Sequence, residues 1–356
     1  MQTKIVKVDP FNPDRKLIEQ AATIIRRGGL VVFPTETVYG LGASIYIEDA
    51  VRRIFEVKER PLDNPLIVHV SSVEELESLV EDVPSQAYKL VEKYWPGPLT
   101  IVLRRARSVP SVVSSGLPTI AIRAPAHPVA IMLIKYSESP IAAPSANLAG
   151  KPSPTKPEHV IEDLYGKVDL ILDAGETLYG VESTVVDLTG REPVLLRPGA
   201  IPVEDIEVTL STKVKIPGFA RGVVEGRDAL SPGVKYRHYA PDKELIVVES
   251  TNYSKIEDYA SKVLAIANMM RKKGLRVGVI ATRETKNIYE KRGFTTLVVG
   301  SRSNLYEVAH NLFSILREID KIDVDVAVSE AFEEKGLGLT IMNRLRKASR
   351  FNIVKV

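Results

Sequence analysis

Apolar positions in the first two thirds of the chain fall into short runs of strand length, broken by proline and glycine turns and separated by stretches of helical period. Leu30 to Phe33 (LVVF), Leu66 to Val70 (LIVHV), Leu99 to Leu103, Thr119 to Ala124 (TIAIRA), the start of Pro140 to Asn147 (PIAAPSAN), Leu170 to Leu172, Ser183 to Asp187 and Pro193 to Leu196 read as strands, the first two buried. Leu17, Ile18, Ala21, Ile24 and Ile25 recur at helical spacing after Asn12 and Pro13, a cap residue followed by proline at the first helical position, and Gly28 and Gly29 stop that helix. Val51, Ile54 and Phe55 predict a short helix, Ser71 with Glu74 caps another, and Pro84 to Tyr94 forms a third.

Beyond Pro241 the pattern becomes regular. Leu245 to Val248, Leu275 to Ile280, Thr295 to Val299 and Val324 to Val328 are short apolar strands, and helices are expected over about 255–271, 283–291, 304–319 and 340–347. Alternation of this kind predicts a parallel sheet covered on both faces, a small Rossmann-like layer. It lacks GxGxxG and the P-loop pattern, and GLGLT at Gly336 to Thr340 is a weak nucleotide candidate.

Composition adds a boundary. Domains average roughly 150 residues, so 356 residues imply two. Pro241 is the last of 23 prolines, a change of usage that marks differently built halves. Ser211 to Pro241 is rich in Gly, Pro and charge without sustained periodicity, which reads as a linker. The expected division is 1–212, 213–241 and 242–356, all of α/β class. Zero cysteines exclude disulfides, a thiol nucleophile and Cys-ligated zinc or iron–sulfur sites. A net charge of +3 is too small for a dedicated nucleic-acid binder. No apolar run approaches the roughly 20 residues that span a bilayer, and MQTKIVKVDP has no signal core, so a cytoplasmic protein is expected.

Candidate chemistry gathers at strand ends. GGLVVFPTETVYGLG, residues 28–42, ends a strand at Pro34 and points Thr35, Glu36, Thr37 and Tyr39 off it, with Gly40 and Gly42 removing side chains where a ligand or backbone could approach. KERPLDNP places Lys58, Arg60 and Asn64 in a segment stiffened by prolines, which suits a polyphosphate, although a cation at a helix end also answers the helix dipole. His69 in its apolar run is a core residue unless its neighbours give it work. Arg123 before Pro125 is a rim residue or an anion clamp. PSAN supplies Ser145 and Asn147, KPSP supplies Ser153, VEST supplies Ser183, and Arg197 closes an apolar run before Pro198 and Gly199. Strand ends bearing Thr, Ser, Asn, Arg and Lys with little acid describe a cleft for an anionic ligand. Polar turns alone would explain each hydroxyl, but not the arginines directly after apolar strands.

With PTETVYG, KERPLDNP, PSAN, VEST and LLRPGA in this order, residues 1 to 212 resemble the YrdC-type threonylcarbamoyl-AMP synthases, and SPGVKYRHYAP with the proline-free part behind it resembles the long, two-domain form of that family. The resemblance implies an open, twisted α/β domain with a large positive cavity and a smaller Rossmann-like domain. It implies a nucleotidyltransferase joining L-threonine, bicarbonate or CO2, and ATP with Mg2+, without a protein-bound redox cofactor or zinc, for threonylcarbamoyladenosine in tRNA. It implies threonine contacts at Thr37, His69, Arg123, Ala143 and Ser183, with Thr35 supporting the loop. ATP contacts would fall to Lys58, Arg60, Asn64, Thr119, Ser145, Ser153, Arg197 and a linker residue near Arg237, while Asn147 completes the Ser-x-Asn pattern. No catalytic group in the strict sense and no protein metal ligand is implied; Lys58, Arg60 and Arg197 position and stabilise charge. By its own composition SPGVKYRHYAP, too aromatic and cationic for an inert tether, is expected either to fold over the cleft and set Tyr236, Arg237 or His238 beside ATP or to be a surface linker whose aromatics pack against either domain. Downstream threonylcarbamoyl-transfer proteins are expected partners, with little or no direct tRNA binding and no membrane. Two other classes stand beside this one: an RNA-binding module, disfavoured by the lack of interleaved aromatics, and the carbamoyl transfer of hydrogenase maturation, whose cysteine-rich zinc modules have no counterpart in a chain without cysteine.

Overall fold

A computed structural model describes residues 2–224 and 239–356. They form two compact units, one of residues 2–149 with Ser153–Ala220, the other of Gly150–Pro152, Arg221–Val224 and residues 239–356.

The first unit is built on a mixed ten-stranded sheet: β1 (Lys4–Lys7), β2 (Val31–Phe33), β3 (Gly40–Ser44), β4 (Ile67–His69), β5 (Leu99–Arg104), β6 (Thr119–Arg123), β7 (Ile141–Ala142), β8 (Leu170–Asp173), β9 (Thr184–Asp187) and β10 (Val194–Arg197). The spatial order is β1-β8-β2-β3-β7-β4-β6-β5-β9-β10. β4 and β6 run parallel in a register that sets His69 opposite Arg123. β5 and β9 are also parallel, bringing Leu99 beside Thr184. Helix Arg15–Arg26 packs Ile18, Ala21, Ala22 and Ile25 into one buried cluster with Val31, Phe33 and Leu170 of the sheet and Leu133 of helix Pro128–Ser137.

Local corrections to the sequence reading have visible causes. The first helix is capped by Asp14, whose carboxylate accepts from Lys16 and Leu17 N–H, so the helix starts later than Asn12-Pro13 predicts. The capping pair is Ser72 with Glu75 rather than Ser71 with Glu74: Ser72 Oγ accepts from Glu75 N–H, and Glu75 accepts from Ser71 N–H. The largest change concerns Gly40 and Gly42. They lie in β3, antiparallel to β2, and not in a ligand-facing turn. A Cβ on Gly42 would stand 2.7 Å from Phe33 Cε1 and 2.8 Å from Ile141 Cγ2, and one on Gly40 would stand 3.3 Å from Phe33 Cζ. These glycines make room for the Phe33 ring.

The second unit has the alternation read from sequence: β11 (Glu244–Glu249), β12 (Val277–Thr282), β13 (Thr295–Gly300), β14 (Val326–Glu330) and β15 (Ile353–Lys355). They pair in the order β13-β12-β14-β11-β15, all parallel. Helices Ile256–Lys272, Lys286–Glu290, Leu305–Glu318 and Leu337–Ala348 lie between strands. GLGLT opens the last of these, with Gly336 at φ +57°. Buried Glu330, at the end of β14, accepts from Tyr289, Thr282 and Arg302, and this network knits the strand ends together. Among the described residues no helix is long and apolar enough to cross a membrane.

Gly42→Ala is expected to cost about 1–3 kcal/mol through overpacking against Phe33 and Ile141, measured by urea unfolding, and Phe33→Leu in the same chain should recover part of it. A neutral Gly42→Ala would show that the strand relaxes freely.

Candidate active site

Arg123 closes β6 and is 4% exposed. A guanidinium cannot be buried without partners, and those of Arg123 come from two other stretches of the chain, Glu36 with Thr37 and Gly97. Its Nε donates to the Gly97 carbonyl at 3.2 Å, its Nη1 to Thr37 Oγ1 at 2.8 Å, and its Nη2 lies 2.6 Å from Glu36 Oε1. Thr37 is held in turn by Thr35, whose hydroxyl lies 2.8 Å from that of Thr37 and caps the turn by accepting from the N–H groups of Thr37 and Val38. The loop is pinned further along, where Tyr179 N–H donates to the Glu36 carbonyl and Tyr39 N–H to the Pro154 carbonyl. His69 sits beside Arg123 across the β4–β6 register, edge-on to Phe33 at 6.0 Å, its Nδ1 buried without a hydrogen-bond partner. Burial, then the Arg123 charge, pushes its pKa down to about 3, so the ring is neutral at physiological pH.

The WPGP turn joins this group to a second. Gly97 carries the carbonyl on Arg123, and the neighbouring Pro98 carbonyl accepts from Thr184 N–H at 3.0 Å. Ser183 Oγ lies 2.7 Å from Thr100 Oγ1 and 3.0 Å from Arg197 Nη2, and Arg197 also donates to the Ser183 carbonyl. Gly199 permits this approach: a Cβ there would stand 2.3 Å from Thr184 N. In a third group, Lys58 Nζ, 1% exposed, donates to the carbonyls of Ser145 and Asn147 and fixes the PSAN loop. Ser153 donates to Glu182 Oε1 at 2.8 Å. Ala143, buried, donates its N–H to the Ile67 carbonyl.

The structure therefore brings together Thr35, Thr37, His69 and Arg123; Ser183 and Arg197; and Lys58, Ser145 and Asn147. Arg60 folds onto the carbonyls of Asn64 and Pro65 and lines an open groove of about 450 Å³ with Phe55 and Leu62. Thr119 stands apart, at the other end of β6 from Arg123, roughly 13 Å along the strand. Tyr236, Arg237 and His238 lie outside the described residues. One expectation is corrected: the cleft is not poor in acid. Glu36 and Glu182 are both buried among these groups, Glu36 paired with Arg123 and Glu182 accepting from Ser153, so counting polar residues at strand ends missed them. Glu36 stood in the PTETVYG stretch without an assigned role, and Thr100 and the Gly97 carbonyl gave no signal.

Comparison with known proteins covers both units. A family model described as telomere recombination matches residues 23–199, and one described as threonylcarbamoyl-AMP synthase, C-terminal domain, matches residues 201–350. The chain is 50% identical over 342 residues to the threonylcarbamoyl-AMP synthase of Pyrococcus abyssi, covering 95% of this chain and 96% of that protein. It is 42% identical over 348 residues to that of Bacillus subtilis, covering 98% and 97%. The crystal structure of P. abyssi Sua5 complexed with L-threonine superposes with a TM-score of 0.91 at 47% identity, covering 99% of this chain and 100% of that one.

The depressed pKa of His69 has a consequence for stability. Below pH 6.5 the unfolded chain takes up a proton at this imidazole that the folded protein refuses until about pH 3, so the stabilisation present above pH 6.5 is lost as pH falls through that window. Urea unfolding between pH 7 and 4 should show on the order of 3 kcal/mol less acid sensitivity in His69→Gln than in the parent. Parallel curves for the two proteins would place the ring in contact with water.

Proposed function

The chain belongs to the threonylcarbamoyl-AMP synthase family, a family of nucleotidyl-transferring enzymes, and on that premise we propose that it converts L-threonine, bicarbonate or CO2, and ATP into threonylcarbamoyl-AMP and pyrophosphate. The full-length match, spanning both units at 50% identity, is the observation that carries this reading. The strand-end geometry supports it. The threonine ammonium releases two protons as its nitrogen bonds to the carbon of CO2, a carbamate oxygen attacks the α-phosphorus, and pyrophosphate leaves. Such a sequence needs reactants held in line and negative charge stabilised rather than a covalent nucleophile.

In this reading Arg123 pairs the threonine carboxylate, with Thr37, His69, Ala143 and Ser183 around the rest of the amino acid and Thr35 holding the loop. Asn64, Thr119, Ser145, Ser153 and Arg60 face the nucleotide, Arg197 sits between the two substrates through Ser183, and Lys58 with Asn147 sets the PSAN loop. Among the described residues no three His, Asp or Glu side chains converge as a metal cage would require. Hydroxyls and cations fit magnesium arriving on the ATP phosphates, where it neutralises charge. The product, a mixed anhydride, is labile, so a separate protein would transfer its threonylcarbamoyl group to tRNA, in the cytoplasm.

Pyrophosphate release should require both L-threonine and bicarbonate, and equal turnover with no amino acid would refute the assignment. Serine should be used less well, by about 10- to 200-fold in kcat/KM, because a pocket distinguishes a missing methyl by roughly 1–3 kcal/mol. Arg123→Lys, which keeps a charge opposite Glu36 but loses the planar fork, should weaken threonine binding by about tenfold or more and leave ATP binding nearly unchanged. Arg60→Ala should do the reverse. Calorimetry that finds both variants losing both ligands equally would overturn this division of the cleft.

A further inference from the structure

Glu36 has no task in the reading above, yet its surroundings give it one. It is 5% exposed, and its Oε1 lies 2.6 Å from Arg123 Nη2. Neither carboxylate oxygen and not Arg123 Nη2 makes an aligned hydrogen bond. His69 Nδ1, across the register from Arg123, is also buried without a partner. A buried carboxylate normally accepts several hydrogen bonds, so one whose close polar contact is an ion pair with a guanidinium nitrogen has accepting capacity left over. The Arg123 side chain is held from behind by Gly97 and Thr37, and the Glu36 backbone by Tyr179 N–H on its carbonyl. The pair is fixed while its outer valences stay open.

A ligand bearing only a carboxylate would take Arg123 and leave Glu36 facing a second anion. A zwitterion avoids this, because its two charges complement the pair in reverse and every charge keeps an opposite neighbour. We propose that Glu36 is a specificity-determining residue that binds the α-ammonium of the amino-acid substrate while Arg123 binds its α-carboxylate. The inference rests on the proposed function, in that it takes threonine as the occupant of this cleft.

The test compares L-threonine with 2,3-dihydroxybutanoate of matching stereochemistry, in which a hydroxyl replaces the α-ammonium, by calorimetry on the full-length protein and Glu36→Gln. The parent should prefer threonine by about 50-fold or more, and Glu36→Gln should lose nearly all of that preference by weakening threonine about 50-fold and the hydroxy acid less than about threefold. ATP affinity should not move. If Glu36→Gln weakens both ligands equally, Glu36 only orients Arg123 and the inference fails. It fails also if the variant keeps the parent's preference. Should Glu36→Gln not fold, Glu36→Asp carries the same comparison: a reduced preference supports the inference and an unchanged one overturns it. If the parent itself binds neither compound, the proposed function fails instead, an outcome distinct from the others.

Discussion

A guanidinium buried at the end of a strand is the constraint on which the cleft depends. Arg123 is placed by the β4–β6 register and carries a full charge into a site 4% exposed to water. Breaking a buried ion pair by removing one partner costs about 3–5 kcal/mol, so the groups around Arg123 have to be present together. They come from the loop after β2, the turn before β5 and the last residue of β4, and the one cation ties those elements into a common frame. The glycines of β3 serve the same frame at a distance, since they make room for Phe33, against whose ring His69 is set edge-on.

The other two polar groups repeat this device. Arg197 is anchored on Ser183, and Lys58 on the carbonyls of the PSAN loop. Each cation is spent first on fixing a backbone turn that displays small hydroxyls. A site preorganised in this way has little reorganisation left to do when charge develops on a reacting phosphate, which is what nucleotidyl transfer asks of a protein.

Much of this was legible in the sequence. The strands that end in Arg123 and Arg197 stood out because charge directly after an apolar run is not what an ordinary turn supplies. The second unit was readable almost entirely, because an alternating parallel layer is encoded by local periodicity. What stayed hidden depends on partners far apart in the chain. Glu36 reads as one more polar turn residue until Arg123, 87 positions later, is set beside it. Gly42 reads as a ligand-facing turn until antiparallel pairing brings it to Phe33 and Ile141. Lys58 reads as a phosphate ligand or a solvated helix-end cation until the PSAN carbonyls close on its ammonium. Helix starts slipped because Asp14 and Ser72 were each close to another good cap, and only backbone geometry chooses between neighbours.

The Arg123–Glu36 pair is the proposed receptor for the amino acid. A crystal structure of this protein with L-threonine and no nucleotide tests it most directly. The prediction is that the threonine carboxylate lies within about 3 Å of the Arg123 guanidinium and its ammonium within about 3 Å of a Glu36 carboxylate oxygen. Threonine bound elsewhere, with the 2.6 Å contact between Arg123 and Glu36 intact, would contradict it.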